Sequence, residues 1–232
     1  MSKMLYEGKA KIIFSTEQAD QYRVYFKDDA TAFNGSKRAT IAGKGVLNNK
    51  ISAKIFEILE QFGVKTHYIK TLSDNEMLVK KVDIIPLEVI MRNIAAGSFC
   101  KRYGAVEGTA LNMSTLEYSY KNDALNDPLI NDDHIVALGI ASREELAVIA
   151  DSARRINQIM SDFWREKGIL LVDFKLEFGY HNGEIILADE VSPDTCRLWD
   201  EATRQKLDKD LFRRDLGDLV ENYREVLSRM ER

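Results

Sequence analysis

Acidic and basic side chains alternate along the segment LLVDFKLEFG at 170–179. Side chains of a β-strand point alternately to its two faces, so Asp173, Lys175 and Glu177 share one face. The residues of the opposite face are apolar: Val172, Phe174, Leu176 and Phe178. Three charges on a largely buried strand are costly unless an opposite charge or a metal ion lies against them. The segment therefore predicts a ligand-binding strand; the alternative is a solvated sheet face with cross-strand ion pairs.

The turn after this strand decides which acid joins the charged face. We predict a three-residue hairpin loop at 181–183, which sets Asp189 directly across from Lys175. A two-residue turn within the same segment would reverse the parity and give that place to Glu190. In the favoured register, Asp189 and Glu177 lie diagonally across two strands. Two such carboxylates suit one hard cation such as Mg²⁺.

The composition bounds the class of protein. The 232 residues are 45% hydrophobic and 30% charged, which is typical of a soluble globular chain with one large domain or two small ones. A net charge of −4 argues against a nucleic-acid partner. No apolar run approaches the roughly 20 residues of a membrane helix, so we expect a cytoplasmic protein without a membrane partner. Cys100 and Cys196 lack metal-type spacing, and we interpret both as reduced packing residues.

Strand-like runs dominate the first third of the chain, and helical patterns are interspersed later, which is typical of an α+β fold. Pro86 interrupts the chain after the last of the early strand-like runs. We therefore predict a smaller, mainly β lobe at 1–84 that contains one helix, and a larger α+β lobe at 85–232.

Apolar residues at helical spacing predict three main helices. The first covers Val46–Phe62 and ends at a glycine. The second begins at a capping box formed by Ser142 and Glu145 and ends at Gly168. The third is predicted as one continuous helix over about Asp208–Met230.

The segment YEGKAKIIF at 6–14 places two lysines after a glycine turn that enters a strand. Lys9 and Lys11 share one face by the period of two, and two parallel ammonium groups suit a polyphosphate. The sequence is not a G-x-x-x-x-G-K-[ST] phosphate loop, and an ordinary solvated edge is the alternative.

The segment EVIMRNIAAGS at 88–98 holds a single arginine in an apolar strand. Arg92, together with the small-residue turn that ends at Ser98, would hold a phosphate monoester. The alternative is a buried structural arginine paired with Glu88. Other polar candidates of the second lobe, each of little weight in isolation, are Lys121, Asp127, Arg197 and Arg213.

Five segments together resemble the motif set of the SAICAR synthetase family of purine biosynthesis. They are YEGKAK, EVIMRNIAAGS, KNDALNDP, LLVDFKLEFG and ADEVSPDTCRLW. The resemblance runs nearly end to end, and the last two segments are its most specific part. It implies a two-lobed α+β fold with antiparallel sheets, an ATP cleft between the lobes, and a homodimer.

The resemblance also implies an activity, that of an ATP-dependent amide ligase. Such an enzyme joins L-aspartate to the carboxylate of carboxyaminoimidazole ribonucleotide (CAIR) through an acyl phosphate and releases ADP and phosphate. The residues implied for ATP are Lys9, Lys11 and Lys80, and those implied for Mg²⁺ are Glu177 and Asp189.

The same resemblance assigns the remaining candidates to CAIR and to the chemical step. The residues implied for the ribose phosphate of CAIR are Arg92, Ser98 and Arg197, and those implied for the rest of its site are Lys121, Asp127 and Arg213. Lys175 would stabilise the reacting carboxylate, and Asp173 would orient groups or accept the proton of the amine.

Two other functions share parts of this pattern. A small-molecule kinase would use the same lysines and metal-binding acids to phosphorylate a hydroxyl group. A nucleotide-binding sensor without catalysis is disfavoured, because a pure binder has no need of a charged strand face with its desolvation cost.

Overall fold

The computed structural model describes residues 3–32 and 37–232 and shows the predicted α+β fold with antiparallel sheets. The strands in these ranges are β1 (Met4–Glu7), β2 (Lys11–Ser15), β3 (Gln21–Phe26), β4 (Asp29–Ala32), β5 (Lys37–Thr40), β6 (Tyr68–Ser73), β7 (Glu76–Lys80), β8 (Asp83–Ile84), β9 (Leu87–Ile94), β10 (Ala110–Tyr120), β11 (Leu129–Ile130), β12 (Ile169–His181), β13 (Glu184–Ala188) and β14 (Cys196–Asp200). The α-helices are α1 (Lys44–Gln61), α2 (Ser98–Tyr103), α3 (Asp132–Ala137), α4 (Arg143–Glu166), α5 (Asp210–Arg214) and α6 (Leu219–Glu231).

A five-stranded sheet with the order β1-β2-β3-β7-β6 is built from the N-terminal part of the chain. Residues two apart share a face, so Val24 and Phe26 of β3 lie buried beside Met77 and Val79 of β7. The helix α1 contacts β3, β6 and β7. It ends before Gly63, whose φ of 77° provides the predicted left-handed stop.

The predicted charged strand is β12, the central strand of the seven-stranded sheet. The sheet order is β11-β10-β9-β12-β13, and β8 and β14 also pair with β12. A register shift between Leu171 and Asp173 marks a bulge. Because the bulge reverses the parity, Leu171 joins Phe174 in the main core while Val172 packs with Trp199 in a separate cluster. The prediction that Val172 shares the apolar face of Phe174 is therefore wrong.

The helix α4 packs on β12 and begins with the predicted capping box. The backbone N–H of Glu145 donates to the Ser142 hydroxyl at 3.2 Å, and the backbone N–H of Ser142 donates to the Glu145 carboxylate at 2.7 Å.

The prediction of a single C-terminal helix over 208–230 is wrong, because α5 and α6 are separate. Asp215 has a φ of 53°, and Asp218 then caps α6.

The two large sheets share one hydrophobic core. Buried side chains of both sheets, of α1 and of α4 form a continuous cluster. The chain passes from one sheet to the other between Lys80, the last residue of β7, and Asp83, which already pairs with β12. An isolated bridge between Thr66 and Leu187 also joins the sheets. The division into lobes at 84/85 stays a prediction.

None of the helices described over 3–32 and 37–232 has the length and apolarity needed to cross a membrane.

Candidate active site

A cleft of about 1400 Å³ opens between the five-stranded sheet and the β12–β13 hairpin. The predicted site residues on its wall are Lys9, Lys11, Lys80, Lys121, Asp127, Lys175, Glu177, Asp189 and Arg213. The predicted site residues that do not line it are Arg92, Ser98, Asp173 and Arg197. Side chains that are as far apart in sequence as Lys9 and Arg213 therefore meet in one space. This clustering supports the cleft as the functional site more strongly than any single motif does.

The hairpin that carries the two predicted metal ligands has a different register from the predicted one. His181 pairs with Glu184, so the turn has two residues, and Glu177 lies opposite Ala188. The prediction of a three-residue loop with Asp189 across from Lys175 is wrong. In a regular strand this register would turn Asp189 away from the charged face.

Asp189 reaches the cleft nevertheless, because the strand ends one residue before it. β13 stops at Ala188, and Asp189 has a φ of 64°, in the left-handed region that non-glycine residues rarely adopt. This conformation redirects the side chain, so Asp189 and Glu190 both line the cleft with Glu177. A backbone deviation, and not the predicted register, brings the carboxylates together.

Lys11 lies between these acids. Its Nζ contacts the Asp189 carboxylate and is 3.0 Å from the Glu190 carboxylate. Burial alone would lower the pKa of Lys11, but the charges of Asp189 and Glu190 outweigh it and raise the pKa above its ordinary value. Lys11 is therefore a permanent cation beside the carboxylates.

The Glu177 carboxylate is held at an electrostatic cost. Burial, and then the negative charge of Asp189, raise the pKa of Glu177 to about 7, although Lys121 lies only 2.6 Å away. A cation between the two carboxylates would relieve that repulsion. Over residues 3–32 and 37–232 no group of three or more His, Cys, Asp or Glu side chains is arranged to hold a metal. Two carboxylates fit Mg²⁺, which usually keeps several waters and takes further oxygens from substrate phosphates.

Lys175 lines the cleft with different neighbours from those predicted. Its Nζ contacts the Glu88 carboxylate, which comes from the adjacent strand β9. The side chain is 47% exposed and points into the cleft, so it remains available to a ligand. The prediction that Asp173, Glu177 and Asp189 surround Lys175 is wrong for its ion pair. Lys175 pairs with Glu88, and the redirected Asp189 pairs with Lys11.

Asp173 and two of the predicted phosphate-binding arginines form a buried network. The Asp173 carboxylate accepts from Arg92 at 2.6 Å and from Arg197 at 2.9 Å. Arg92 also donates to Glu117 at 2.8 Å, so the alternative pairing of Arg92 with Glu88 is not the one formed. Because two guanidinium groups occupy the carboxylate of Asp173, this residue is better suited to positioning the arginines than to accepting a proton.

The turn before α2 lies against this network. Gly97 has a φ of 56°, and a side-chain carbon there would lie 2.5 Å from a guanidinium nitrogen of Arg197. Glycine is therefore required for Arg197 to reach the turn. Ser98, the first residue of α2, follows immediately.

The hairpin tip at 8–10 lies on the cleft wall. Lys9 lies 3.1 Å from Asp123, which belongs to the segment before β11. Both side chains are more than half exposed, so we assign little stability to this pair. Lys80 donates to the backbone carbonyl of Thr66 at 2.8 Å. Asp127 accepts from the backbone N–H of Asn122 at 2.8 Å, which shapes its loop.

Sequence reasoning missed several polar residues of the cleft. Burial and the charge of Lys11 lower the pKa of His67 to about 3, so this wall residue is neutral at pH 7. Asp194 and Lys209 also line the cleft. Asp194 contacts the fully buried Lys44 at 2.6 Å. The Ser-Pro-Asp turn that contains Asp194 is a sequence pattern that could have indicated this residue. No such pattern marks Lys44 or Lys209.

The chain matches the family model described as SAICAR synthetase over residues 4–230. It is 59% identical to phosphoribosylaminoimidazole-succinocarboxamide synthase of Finegoldia magna, across 97% of this chain and 98% of that protein. It is similar to the crystal structure of the synthase from Ehrlichia chaffeensis, with 48% identity, a TM-score of 0.97, and coverage of 99% and 98%. A SAICAR synthetase in complex with ADP has 50% identity, a TM-score of 0.94, and coverage of 97% and 96%. The chain therefore belongs to the SAICAR synthetase family.

Proposed function

We propose that the charged cleft is the active site at which this family member carries out the ATP-dependent joining of L-aspartate to CAIR. The observation that carries this assignment is the meeting of Lys11, Glu177 and Asp189 in a cavity of about 1400 Å³. Cations for phosphates and carboxylates for a metal ion are what a metal-bridged polyphosphate requires. The related ADP complex supports a nucleotide as the ligand.

The nucleotide would lie against the five-stranded sheet. Lys9 and Lys11 face the phosphates, with Lys80 nearby on β7. The apolar part of this wall, which would accommodate the adenine, is lined by Ile13, Val24, Val79, Val82 and Ile84. Glu177 and Asp189 would hold Mg²⁺. When bound, this ion would neutralise charge that develops on the transferring phosphoryl group.

The carboxylate of CAIR would approach the γ-phosphate beside Lys175. A carboxylate is a poor acyl donor, so its phosphorylation to an acyl phosphate would precede attack by the aspartate amine. The carboxylate oxygen forms a bond to the γ-phosphorus as ADP leaves; the amine then forms the amide bond, loses a proton, and phosphate departs. Lys175 would reduce the repulsion between the two anions in the first step.

The ribose phosphate of CAIR would bind at Arg92 and Arg197, beside the turn that carries Ser98. The small turn at Gly97 supports this placement, because it exposes backbone next to the Arg197 guanidinium. Asp173 would position both arginines from behind. Lys121, Asp127 and Arg213 on the cleft wall would line the rest of the CAIR site.

Arg92→Lys and Arg197→Lys test the phosphate site. Each should raise the KM for CAIR more than the KM for ATP, because lysine keeps the charge but loses the planar fork that grips a phosphate. The bonding at risk is about 1.5–3 kcal/mol. Steady-state kinetics with each substrate varied in turn measures the effect, after circular dichroism has confirmed folding. A loss of ATP affinity with CAIR affinity intact would assign these arginines to the nucleotide.

An ADP-release assay tests the function and separates it from that of a kinase. Sustained ADP formation should require both CAIR and aspartate, and mass spectrometry should find the amide product. A kinase would release ADP steadily without aspartate and would yield a stable phosphorylated product. That outcome would contradict the proposed ligase reaction at this cleft.

The assembly and the location of the protein are also proposals. Resemblance to bacterial members of the family supports a homodimer, which sedimentation equilibrium would detect by its mass. A role in purine biosynthesis supports a cytoplasmic location, because the substrates are soluble phosphorylated metabolites. Fractionation of cells that produce the protein would check this.

A further inference from the structure

Among the described residues, three cations on the cleft wall have no role in the assignments above: Lys27, Arg38 and Lys209. Lys27 pairs with both Glu7 and Asp29, so Lys209 is the stronger candidate for a ligand. Lys209 immediately precedes α5, lines the cleft, and has a side chain that is 13% exposed. Its Nζ lies 3.4 Å from Oδ2 of Asp194. The Nζ of Lys44 lies 2.6 Å from the same oxygen and is fully buried. One carboxylate thus faces two ammonium groups, and only Lys209 faces the cleft.

The Asp194 carboxylate has other partners besides Lys209. Its other oxygen, Oδ1, accepts from the Tyr223 hydroxyl at 2.7 Å. Burial would raise the pKa of Asp194, but the charges of Lys209 and Lys44 outweigh it and hold the pKa well below its usual range. Asp194 is therefore a fixed anion whose closest cation is Lys44. Of these two cations, Lys209 has the longer contact with Asp194 and is the one that lines the cleft.

Two cations at the α5 end, Lys209 and Arg213, line the cleft. Arg213 lies one helical turn after Lys209, and its backbone N–H donates to the Lys209 carbonyl at 3.0 Å. The Arg213 side chain shares Asp210 with Arg197, at 2.6 Å and 3.0 Å. The cleft wall also carries the carboxylates of Glu177, Asp189 and Glu190. The α5 end of the cleft is thus suited to an anion.

The proposed function leaves one anionic substrate without partners. The phosphates of ATP face Lys9 and Lys11, and the ribose phosphate of CAIR faces Arg92 and Arg197. The amino dicarboxylate needs a cation of its own, and an ammonium group binds a carboxylate through charge-assisted hydrogen bonds. Resting on the proposed function, we propose that Lys209 binds a carboxylate of L-aspartate, and that Arg213 marks the border with the CAIR site.

Lys209→Met tests this assignment. The variant should raise the KM for aspartate by about 10- to 100-fold, which is the loss of affinity expected when one charge-assisted hydrogen bond is removed. The KM values for CAIR and MgATP should stay within about twofold. Succinate, a dicarboxylate without the amine, should inhibit the wild-type enzyme in competition with aspartate and should lose potency in the variant. Lys206→Met is the matched control, because Lys206 pairs with Glu107 outside the cleft lining and should leave all three KM values unchanged.

Arg213→Met provides the contrast, since it should raise the KM for CAIR more than that for aspartate. If Lys209→Met does not fold, Lys209→Gln repeats the test, because an amide can still hydrogen-bond Asp194. An unchanged KM for aspartate, or a larger rise for CAIR or ATP, would overturn the assignment of Lys209. If the wild-type enzyme does not use aspartate at all, the proposed function fails instead, so the two failures can be told apart.

Discussion

Glu177→Gln and Asp189→Asn are each expected to remove most of the activity while the protein stays folded. Both changes preserve volume and remove one negative charge from the proposed cation site. Loss of the Glu177 charge should also remove the cost of burying it and the repulsion from Asp189, which together raise its pKa to about 7, so the free energy of unfolding should not fall. Steady-state rates at several Mg²⁺ concentrations, together with thermal unfolding, measure both effects.

Glu184→Gln is the matched control for these two variants. Glu184 lies on the same hairpin, is exposed, and pairs with Lys65 away from the cleft. Its activity should equal that of the wild type. Glu190→Gln should have a smaller effect than Asp189→Asn, because the Glu190 side chain is only 5% exposed, against 30% for Asp189, and is therefore less accessible to a cation in the cleft. Near wild-type activity of Asp189→Asn with loss of activity in Glu190→Gln would reverse the metal assignment.

Lys175→Met is expected to fold normally, to bind MgATP, and to lose kcat by roughly 10²–10³-fold. That is the loss seen when a preorganised group that stabilises developing charge is removed. The side chain is half-exposed in the cleft, so its removal should not disturb the core. Its charge would be needed when two anions approach each other, and the loss should therefore appear in the chemical step.

Calorimetric titration with MgATP and single-turnover ADP formation separate binding from chemistry for Lys175→Met. Lys65→Met is the control, since Lys65 is an exposed lysine that pairs with Glu184 outside the cleft lining. Turnover by Lys175→Met close to the wild-type rate would reduce Lys175 to the ion-pair partner of Glu88.

The fold class could be predicted from local patterns, since these act through short-range physics. The capping box at Ser142 and the glycine stops at Gly63 and Gly168 form as predicted, because each satisfies backbone groups within a few residues. The break between α5 and α6 was not predictable from apolar spacing. The apolar stripe continues across it, and the positive φ of Asp215 together with the cap at Asp218 shows that one helix ends and another begins.

The residues that line the candidate site were predicted better than their arrangement in space. Glu177 and Asp189 do line one cleft, but the two-residue turn would have separated them had Asp189 kept a strand conformation. The alternation of side chains between the two faces of a strand assumes a regular backbone, so it fails wherever a bulge or a left-handed residue intervenes. Lys44 and Lys209 were missed for another reason. Their convergence on Asp194 depends on tertiary packing, which leaves no local sequence signal.

Transfer of ¹⁸O from the CAIR carboxylate to inorganic phosphate is the most direct test of the chemistry proposed for this cleft. If ATP phosphorylates that carboxylate, the oxygen that bonds to phosphorus leaves with it when the aspartate amine attacks. With CAIR labelled on both carboxylate oxygens, mass spectrometry should find one ¹⁸O atom in each phosphate released and one in each amide product. Phosphate without label, formed together with amide that is made at the normal rate, would contradict activation of the carboxylate by ATP.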